Sequence, residues 1–337
     1  MKSVLDGLPE EAKKKLIKKE QPDWEDPMLA TLTSERFDDN GWIFGRKLDG
    51  ERCIAYKKNG KIRLMSRNRH VINAQYPEVA EAMEKDETDD FITDGEVVAF
   101  DEHGETRFEL LQPRMGLQDP MEALRTGVNV YYYIFDMLYF DGFDITQLAV
   151  TDRKYVLKNA LHFGGPLVYL EDRMGGGLKY FKEACVRGWE GLIAKRAAGP
   201  YVHGRSGDWL KFKCVQNQEF VIGGYTEPHG KRTGFGALLV GYYRDGKLMY
   251  AGKVGTGFSD ETIMKLMEKF RPLTRKTSPF AEEVKEKEVC WLEPKLVAQV
   301  GFEEWTNYGK LRQPRFEGLR YDKSPGSVVK EVPERLK

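Results

Sequence analysis

Short segments of β-strand length that do not alternate regularly with helices place the strongest constraint on how this chain can fold. Up to residue 214, apolar or alternating segments predict strands at Trp42–Arg46, Arg52–Lys57, Lys61–Ser66, Phe91–Phe100, Val130–Leu138, Gly191–Arg196 and Trp209–Cys214. Helix-like segments lie between them at Tyr76–Lys85, Asp152–Leu161 and Leu178–Arg187. Because these elements do not form a strict βαβ repeat, the pattern predicts an α+β domain built around antiparallel sheets.

The character of the sequence changes at about residue 216. From there on, strands are predicted at Glu219–Tyr225, Ala237–Arg244, Lys247–Gly255 and Leu296–Trp305, with one helix at Asp260–Lys269. About five short strands with a single helix are typical of a small barrel of the OB type. We therefore predict an N-terminal helix and linker at residues 1–26, an α+β domain at residues 27–215 and an OB-fold domain at residues 216–337.

The composition favours a soluble protein of a reducing compartment. No apolar run approaches the roughly 18 residues of a membrane-spanning helix, and the Lys- and Glu-rich start of the chain lacks the apolar centre of a secretory signal. The four cysteines are Cys53, Cys185, Cys214 and Cys290, and no two of them have Cys-x-x-Cys spacing. We therefore expect a cytoplasmic protein with reduced, mostly buried thiols and no structural zinc site.

Positive charge is concentrated in parts of a chain whose formal net charge is zero. From Arg46 to His70 there are nine Lys or Arg residues against two acids. A local basic region of this kind can hold phosphate even where the net charge gives no long-range attraction. A solvated surface also carries runs of charge, so this pattern alone does not identify a ligand.

Lys47 lies between two predicted strands, in the segment Arg46-Lys47-Leu48-Asp49-Gly50-Glu51-Arg52. Asp49-Gly50 is a turn signal that would project Lys47 into a cleft. A lysine amine attacks phosphorus only after it has lost its proton, and we expect Arg46, Arg52 and a bound metal to lower its pKa. Lys-x-Asp-Gly by itself arises by chance in roughly one chain in ten of this length, so it needs support from other segments.

Six further segments supply that support. In chain order they are Ser66-Arg67-Asn68, Asp94-Gly95-Glu96, Phe135-Asp136-Met137-Leu138-Tyr139, Glu190-Gly191-Leu192-Ile193-Ala194-Lys195, Trp209-Leu210-Lys211-Phe212-Lys213 and Arg320-Tyr321-Asp322-Lys323. Together with the Lys47 segment, this set resembles the covalent nucleotidyltransferase superfamily, and specifically its ATP-dependent DNA ligases. Residues 223–241 and 311–325 look most similar to the ligase modules of bacterial and archaeal end-joining systems.

The resemblance implies that these segments bind ATP and transfer its AMP. Lys47 is the implied nucleophile, while Lys211 and Lys213 are implied to hold the α-phosphate. Arg320 and Lys323 are implied to orient the pyrophosphate from the second domain. The implied ATP-binding residues are Arg52, Arg67, Glu96, Phe135, Glu190, Lys211 and Lys213.

A divalent metal ion is the second implied cofactor. Mg²⁺, with Mn²⁺ as a substitute, is implied to be held over the phosphates by Glu190, Glu96 and Asp49, since hard oxygen ligands suit these ions.

Several of these residues also have an ordinary structural interpretation. Glu96 could be a surface carboxylate on a strand, and Phe135 a core aromatic residue. Lys211 and Lys213, which alternate on one face of a strand, could form a solvent-facing edge. The flanking residue Trp209 instead favours a position beside a cleft.

Gly45 departs from the family pattern. Ligases of this kind usually carry a glutamate two residues before the nucleophile, where it helps to read the amino group of adenine. Here the position is glycine. Phe135 and backbone groups are the candidates that remain for the adenine contact, and strict preference for ATP is open.

The implied activity is the sealing of nicks between a 3′-hydroxyl and a 5′-phosphate, through lysyl-AMP and DNA-adenylate intermediates. Nicked duplex DNA is the implied partner, together with end-joining or repair proteins. No membrane association is expected. We expect a monomer, associated with the nucleoid in a prokaryote, whose OB-fold domain closes for the first step. The alternatives are an RNA ligase, a GTP-dependent RNA capping enzyme and a catalytically idle nucleic-acid-binding module.

Overall fold

The computed structural model describes residues 3–214, 216–228, 234–306 and 308–331, which belong to two compact units. The first unit extends to Cys214, and the second extends to Glu331. Residue 215, the predicted end of the α+β domain, lies outside the described residues. So do parts of the predicted OB-fold domain, at 229–233 and after residue 331.

In its described residues, the first unit contains twelve strands and five α-helices. The strands are β1 (Ile17–Lys18), β2 (Met28–Leu32), β3 (Trp42–Lys47), β4 (Glu51–Lys58), β5 (Lys61–Ser66), β6 (Phe91–Val98), β7 (Tyr131–Phe140), β8 (Phe143–Asp144), β9 (Leu167–Tyr169), β10 (Asp172–Met174), β11 (Gly191–Arg196) and β12 (Gly204–Lys213). The helices are α1 (Glu10–Lys13), α2 (Pro77–Lys85), α3 (Pro120–Arg125), α4 (Val150–Ala160) and α5 (Gly177–Val186).

The strands of the first unit form two sheets. The larger sheet has the order β1-β8-β7-β6-β4-β5, with β9 on β7, and the smaller has the order β10-β3-β11-β12-β2. Most neighbouring strands are antiparallel, while β12–β2 and β7–β9 are parallel. This confirms the predicted α+β class. The chain passes from the smaller sheet to the larger in the turn at 48–50, directly after Lys47.

The larger sheet is covered by apolar side chains on both faces. On one face it packs against Val79 of α2 and Leu157 of α4. On the other face, residues of both sheets share one apolar cluster, for example Ile54 of β4 and Trp209 of β12. Strands covered on both faces need nearly continuous runs of buried residues, and β6 and β7 have them.

The N-terminal segment packs on the first unit. Its helix α1 has only four residues, and β1 joins the edge of the larger sheet by pairing with β8. Leu5, Leu8 and Ala12 are buried in the same core as α2 and α4. Where the sequence predicted a charged helix and a linker, residues 3–26 therefore contribute apolar side chains and a strand to the unit.

The second unit is a closed barrel. Its described elements are β13 (Gln216–Thr226), β14 (Leu238–Arg244), β15 (Lys247–Val254), α6 (Asp260–Phe270), β16 (Thr274–Arg275), β17 (Val289–Phe302) and β18 (Arg315–Leu319). The strand order is β15-β14-β13-β17-β18, with β16 also on β17. The N–H of Phe316 donates to the carbonyl of Thr256 at 2.9 Å and so joins the two ends of this order. This confirms the predicted OB-type fold.

β17 is longer than the sequence predicted. The predicted strand began at Leu296, two residues after Pro294, which lacks the N–H that a strand hydrogen bond needs. The strand in fact runs back to Val289, and its pairing with β13 shifts register between Leu296 and Trp291. Pro294 is accommodated in this irregular part of the ladder.

Two cysteines correct the expectation of reduced thiols. Cys185, at the end of α5, and Cys214, directly after β12, form a disulfide. They are 29 residues apart in sequence, so only the packing of α5 beside β12 brings them together. Cys53 is a buried free thiol, as expected, and Cys290 is a half-buried one. No helix in the described ranges is long and apolar enough to cross a membrane.

Candidate active site

Lys47 is the last residue of β3, and its amine lies against the carboxylate of Glu190. Lys47 pairs in register with Gly191 of β11, so Glu190, immediately before that strand, is brought beside it. The ammonium of Lys47 donates a hydrogen bond to Oε2 of Glu190 and forms an ion pair with it. Only 19% of the Lys47 side chain and 7% of the Glu190 side chain are exposed. The predicted nucleophile and a predicted metal ligand are thus direct neighbours.

The charge environment of Lys47 differs from the prediction. Burial lowers the pKa of Lys47, but the carboxylate of Glu190, with those of Asp49 and Glu96, outweighs burial and raises it above the usual value. Arg46 was expected to lower this pKa. Strand alternation turns Arg46 to the opposite face, where its guanidinium lies 4.6 Å from the centre of the Trp189 ring. The charges of the protein's own residues therefore raise the pKa of Lys47, where Arg46 and Arg52 were expected to lower it.

Lys211 and Lys213 lie on the same face of the smaller sheet as Lys47. Gly191 of β11 pairs with both Lys47 and Lys213, which places these two lysines on one row across three strands. Lys211 lies on the next row of that face. Neighbouring strands are about 4.8 Å apart, so the backbones of Lys47 and Lys213 are about 10 Å apart. Both side chains therefore project from the same face of the smaller sheet, two strands apart.

Arg52 belongs to the larger sheet and is held there by a buried carboxylate. Its guanidinium donates two hydrogen bonds of 2.5 Å to Asp94, which also accepts one of 2.6 Å from the hydroxyl of Tyr201. Burial opposes the charge of Arg52, but Asp94 outweighs it and raises the pKa above the usual value. The guanidinium carbon lies 4.8 Å from the centre of the Phe135 ring. Asp94, which was not predicted as a site residue, therefore fixes Arg52 beside Phe135.

Glu96 and Phe135 lie on neighbouring strands of the larger sheet. Glu96 of β6 pairs in register with Arg52 of β4 and with Tyr133 of β7. Phe135 is 8% exposed, and its ring packs edge-on against Trp209 of the smaller sheet, with 6.0 Å between ring centres. Phe135 therefore lies where the two sheets meet.

Two further predicted residues of the first unit lie in turns. Arg67 is half-buried, directly after β5. Asp49 accepts a hydrogen bond from the N–H of Phe108 at 3.1 Å, and its own N–H donates to the hydroxyl of Thr106 at 3.1 Å. These two bonds fix the turn that follows Lys47.

The carboxylates near Lys47 fit a metal ion that is shared with a substrate. Within the described part of the chain, no three His, Cys, Asp or Glu side chains converge on one point. The predicted set of Glu190, Glu96 and Asp49 therefore does not form a metal cage made only of protein groups. Mg²⁺ commonly uses one or two carboxylates together with phosphate oxygens and water, and the buried carboxylate of Glu190 suits that arrangement.

Arg320 and Lys323 lie in the second unit, and both pair with acids there. Arg320 donates two hydrogen bonds of 2.7 Å to Asp322. Burial opposes the charge of Asp322, but Arg320 outweighs it and lowers the pKa of Asp322. Lys323 lies 2.9 Å from a carboxylate oxygen of Glu219.

A buried charged cluster beside Gly45 was not predicted. Asp172 of β10 pairs in register with Gly45. Its Oδ2 lies 2.5 Å from Nζ of Lys154 and 3.7 Å from Nζ of Lys195. Burial lowers the pKa of Lys195 to about 8. Two sequence signals pointed to this place: the departure from the family pattern at Gly45, and Lys195 at the end of the segment from Glu190 to Lys195.

Both units match sequence models of known protein families. The model of the ATP-dependent DNA ligase domain matches residues 27–213. The model of the C-terminal region of ATP-dependent DNA ligases matches residues 231–323.

Proteins that are similar to this chain along most of its length agree with these matches. The multifunctional non-homologous end joining protein LigD of Pseudomonas aeruginosa is 36% identical over 320 residues, covering 93% of this chain and 37% of that protein. The prophage-derived DNA ligase-like protein LigB of Bacillus subtilis is 31% identical over 296 residues, covering 87% of this chain and 98% of that protein. A solved structure of mycobacterial DNA ligase D with ATP and MES is 34% identical, covers 91% of this chain and 98% of its own, and has a TM-score of 0.66. The chain spans about two-fifths of the length of its LigD relatives.

Proposed function

Because the chain belongs to the family of ATP-dependent DNA ligases, we propose that it seals nicks in duplex DNA through a lysyl-AMP intermediate on Lys47. The observation that supports this most is the position of Lys47. Its amine is buried beside Glu190 and shares one row of the smaller sheet with Lys213. A nucleophile, a carboxylate and a second cation are the groups that phosphoryl transfer needs, because positioning and charge stabilisation account for most of its catalysis.

The first step is attack by the Lys47 amine on the α-phosphorus of ATP. The new N–P bond forms as the bond to the pyrophosphate oxygen breaks. Lys47 first has to release a proton to solvent, which its ion pair with Glu190 opposes. Glu190 makes the largest of the carboxylate contributions that raise the pKa of Lys47, so a cation bound at Glu190 would weaken that contribution. A divalent metal ion bound at Glu190 would also neutralise phosphate charge, whether Mg²⁺ or Mn²⁺.

The other proposed ATP contacts come from both sheets. Lys211 and Lys213 hold the α-phosphate as negative charge moves to the leaving group. Phe135 stacks on the base, and Glu96 accepts hydrogen bonds from the ribose hydroxyls. Arg52 lies beside Phe135 and contributes to the nucleoside pocket. From the second unit, Arg320 and Lys323 orient the pyrophosphate after the OB-fold domain closes.

The second and third steps act on DNA. The 5′-phosphate of the nick attacks the phosphorus of lysyl-AMP, and the bond to Lys47 breaks. The 3′-hydroxyl then attacks the activated 5′-phosphate, loses its proton and displaces AMP. Arg67 is suited to the 5′-phosphate, because a guanidinium matches two phosphate oxygens at once.

We place this activity in DNA end joining or repair, because relatives that the chain matches along most of its length are named for end joining. End-joining or repair proteins are the proposed partners. The working form is proposed to be a monomer in the cytoplasm, associated with the nucleoid in a prokaryote.

The proposal is tested by labelling the protein with ATP that carries ³²P in its α-phosphate. The protein is incubated with labelled ATP and Mg²⁺, denatured and examined for retained label, beside a Lys47→Arg variant that keeps the charge. The expected result is label on the wild type only, which nicked duplex DNA discharges as sealed product appears.

Other outcomes would point to the alternatives. Label from GTP and not from ATP would indicate a capping-type enzyme, and discharge by nicked RNA and not by DNA would indicate an RNA ligase. Retained label on Lys47→Arg would move the nucleophile elsewhere. No label from ATP, GTP or NAD would contradict a covalent nucleotidyltransferase altogether.

A further inference from the structure

Asp172 places a buried carboxylate in the space that a side chain at position 45 would need. A Cβ atom added to Gly45 would lie 2.1 Å from Oδ1 of Asp172, well inside the contact distance. Gly45 and Lys47 are two residues apart on β3, so Asp172 lies on the face of the smaller sheet that carries the proposed nucleophile. The lack of a side chain at position 45 is what lets the carboxylate reach this place.

Asp172 and Lys195 have hydrogen-bonding capacity that the protein leaves unused. Only 3% of the Asp172 side chain is exposed, and within the described ranges no hydrogen bond reaches its Oδ1. The Lys195 side chain is 2% exposed, and its Nζ donates no hydrogen bond to any described residue. Buried polar atoms without partners cost free energy, so they are rare without a reason. Oδ1 of Asp172 is a hydrogen-bond acceptor, and Nζ of Lys195 beside it is a donor. Together they suit a ligand that carries a donor and an acceptor next to each other on one edge.

Lys195 connects this pair to the proposed base-binding residue. Its Nζ lies 4.9 Å from the centre of the Phe135 ring and 5.0 Å from that of Trp209. A purine that stacks on Phe135 would therefore lie beside Lys195, and Oδ2 of Asp172 lies 3.7 Å from Nζ of Lys195. The amino group and neighbouring ring nitrogen of adenine offer a donor and an acceptor on one edge. Guanine has an oxygen and an N–H at the same positions, which is the reverse pattern.

We propose that Asp172 selects adenine by accepting a hydrogen bond from its 6-amino group, while Lys195 donates to the adjacent ring nitrogen. The carboxylate of Asp172 thus takes the part of the side chain that position 45 lacks. It also rejects guanine, since a carboxylate and the 6-oxo group repel each other. This inference rests on the proposed formation of lysyl-AMP from ATP.

The test compares ATP with purine riboside triphosphate, which lacks the 6-amino group, as substrates for lysyl-nucleotide formation. The wild type should use ATP with a kcat/KM higher by roughly tenfold to hundredfold, the range for a hydrogen bond to a charged group. Asp172→Ala should lose this preference by weakening the use of ATP alone. Since both nucleotides are measured on the same protein, a general loss of stability or folded fraction cancels from the ratio.

A reciprocal change at position 45 provides the matched control. Gly45→Glu alone should impair labelling with both nucleotides, because its side chain meets Oδ1 of Asp172. In Asp172→Ala/Gly45→Glu the space is free, and the preference for ATP should return. An equal use of the two nucleotides by the wild type would overturn the inference, as would an unchanged preference in Asp172→Ala. A wild type that takes no label from either nucleotide would instead contradict the proposed function.

Discussion

Lys195 carries an amine that is almost completely buried, and burial lowers its pKa to about 8. In the unfolded chain this amine would titrate near the ordinary lysine pKa of 10.5. Between these two values the unfolded state binds more protons, so the group adds stability as the pH rises from about 8 to about 10.5. A shift of this size corresponds to at most about 3 kcal/mol.

Lys195→Met removes that dependence on pH. We expect the free energy of unfolding of the wild type, relative to the variant, to increase between pH 7 and pH 10. Urea unfolding at the two pH values measures it. Lys182→Met, at an exposed position of α5, is the control and should follow the wild type. A constant difference between wild type and Lys195→Met at both pH values would show that Lys195 titrates normally.

At the scale of secondary-structure elements, one buried ion pair docks α4 on β7. Arg153 of α4 donates hydrogen bonds of 2.7 and 2.8 Å to Asp136 of β7, and neither side chain is exposed at all. Arg153 also donates to the carbonyl of Leu148 at 2.6 Å. Removing one partner leaves an uncompensated charge in the core, which is the costly way to break such a pair.

Arg153→Met should therefore lower the free energy of unfolding by about 3–5 kcal/mol. Changing both partners, in Arg153→Met/Asp136→Leu, should recover most of this loss because no buried charge remains. Lys158→Met is the control on the same helix, since its ion pair with Glu171 is mostly exposed and should contribute less than about 1 kcal/mol. Chemical unfolding measures all four proteins, and equal losses in the single and double variants would contradict this account.

The same scale shows what could be predicted from the sequence. β5 and β11 were predicted to the residue, because their alternation and flanking turns are local properties. β10 was missed because three residues carry too little periodicity, and with it the contact between Asp172 and Gly45. Contacts between distant segments, such as that of Lys47 with Glu190, could be predicted only from the resemblance to a family. The raised pKa of Lys47 depends on Glu190, so it could not be predicted from Arg46 and Arg52, which are near Lys47 in sequence.

At the scale of the whole molecule, the residues proposed to act on ATP are divided between two compact units. Lys47 and the other proposed ATP contacts lie in the first, and Lys323 lies in the second. If the second unit acts only when pyrophosphate leaves, Lys323→Ala should slow lysyl-AMP formation by at least about tenfold. Sealing of a nick that already carries AMP on its 5′-phosphate should stay within about twofold, since no pyrophosphate is released in that step.

Single-turnover labelling and sealing assays separate these two effects. Lys265→Ala is the matched control, because Lys265 is an exposed lysine of the same unit and should leave both steps unchanged. If Lys323→Ala slowed both steps equally, Lys323 would act in general folding or DNA binding and not on the leaving group.

The bridge between Cys185 and Cys214 closes the intervening polypeptide into a ring that contains Glu190, Lys211 and Lys213. A protease that cuts once inside this ring, for example after the exposed Arg205, would open it without dividing the molecule. Such a nicked protein should migrate as one band on a denaturing gel without reductant and as two bands after reduction. Two bands without reductant would mean that the bridge is open in solution. While the disulfide is intact, one peptide bond inside the ring can be cleaved and Glu190, Lys211 and Lys213 still remain covalently linked to the part of the chain that carries Lys47.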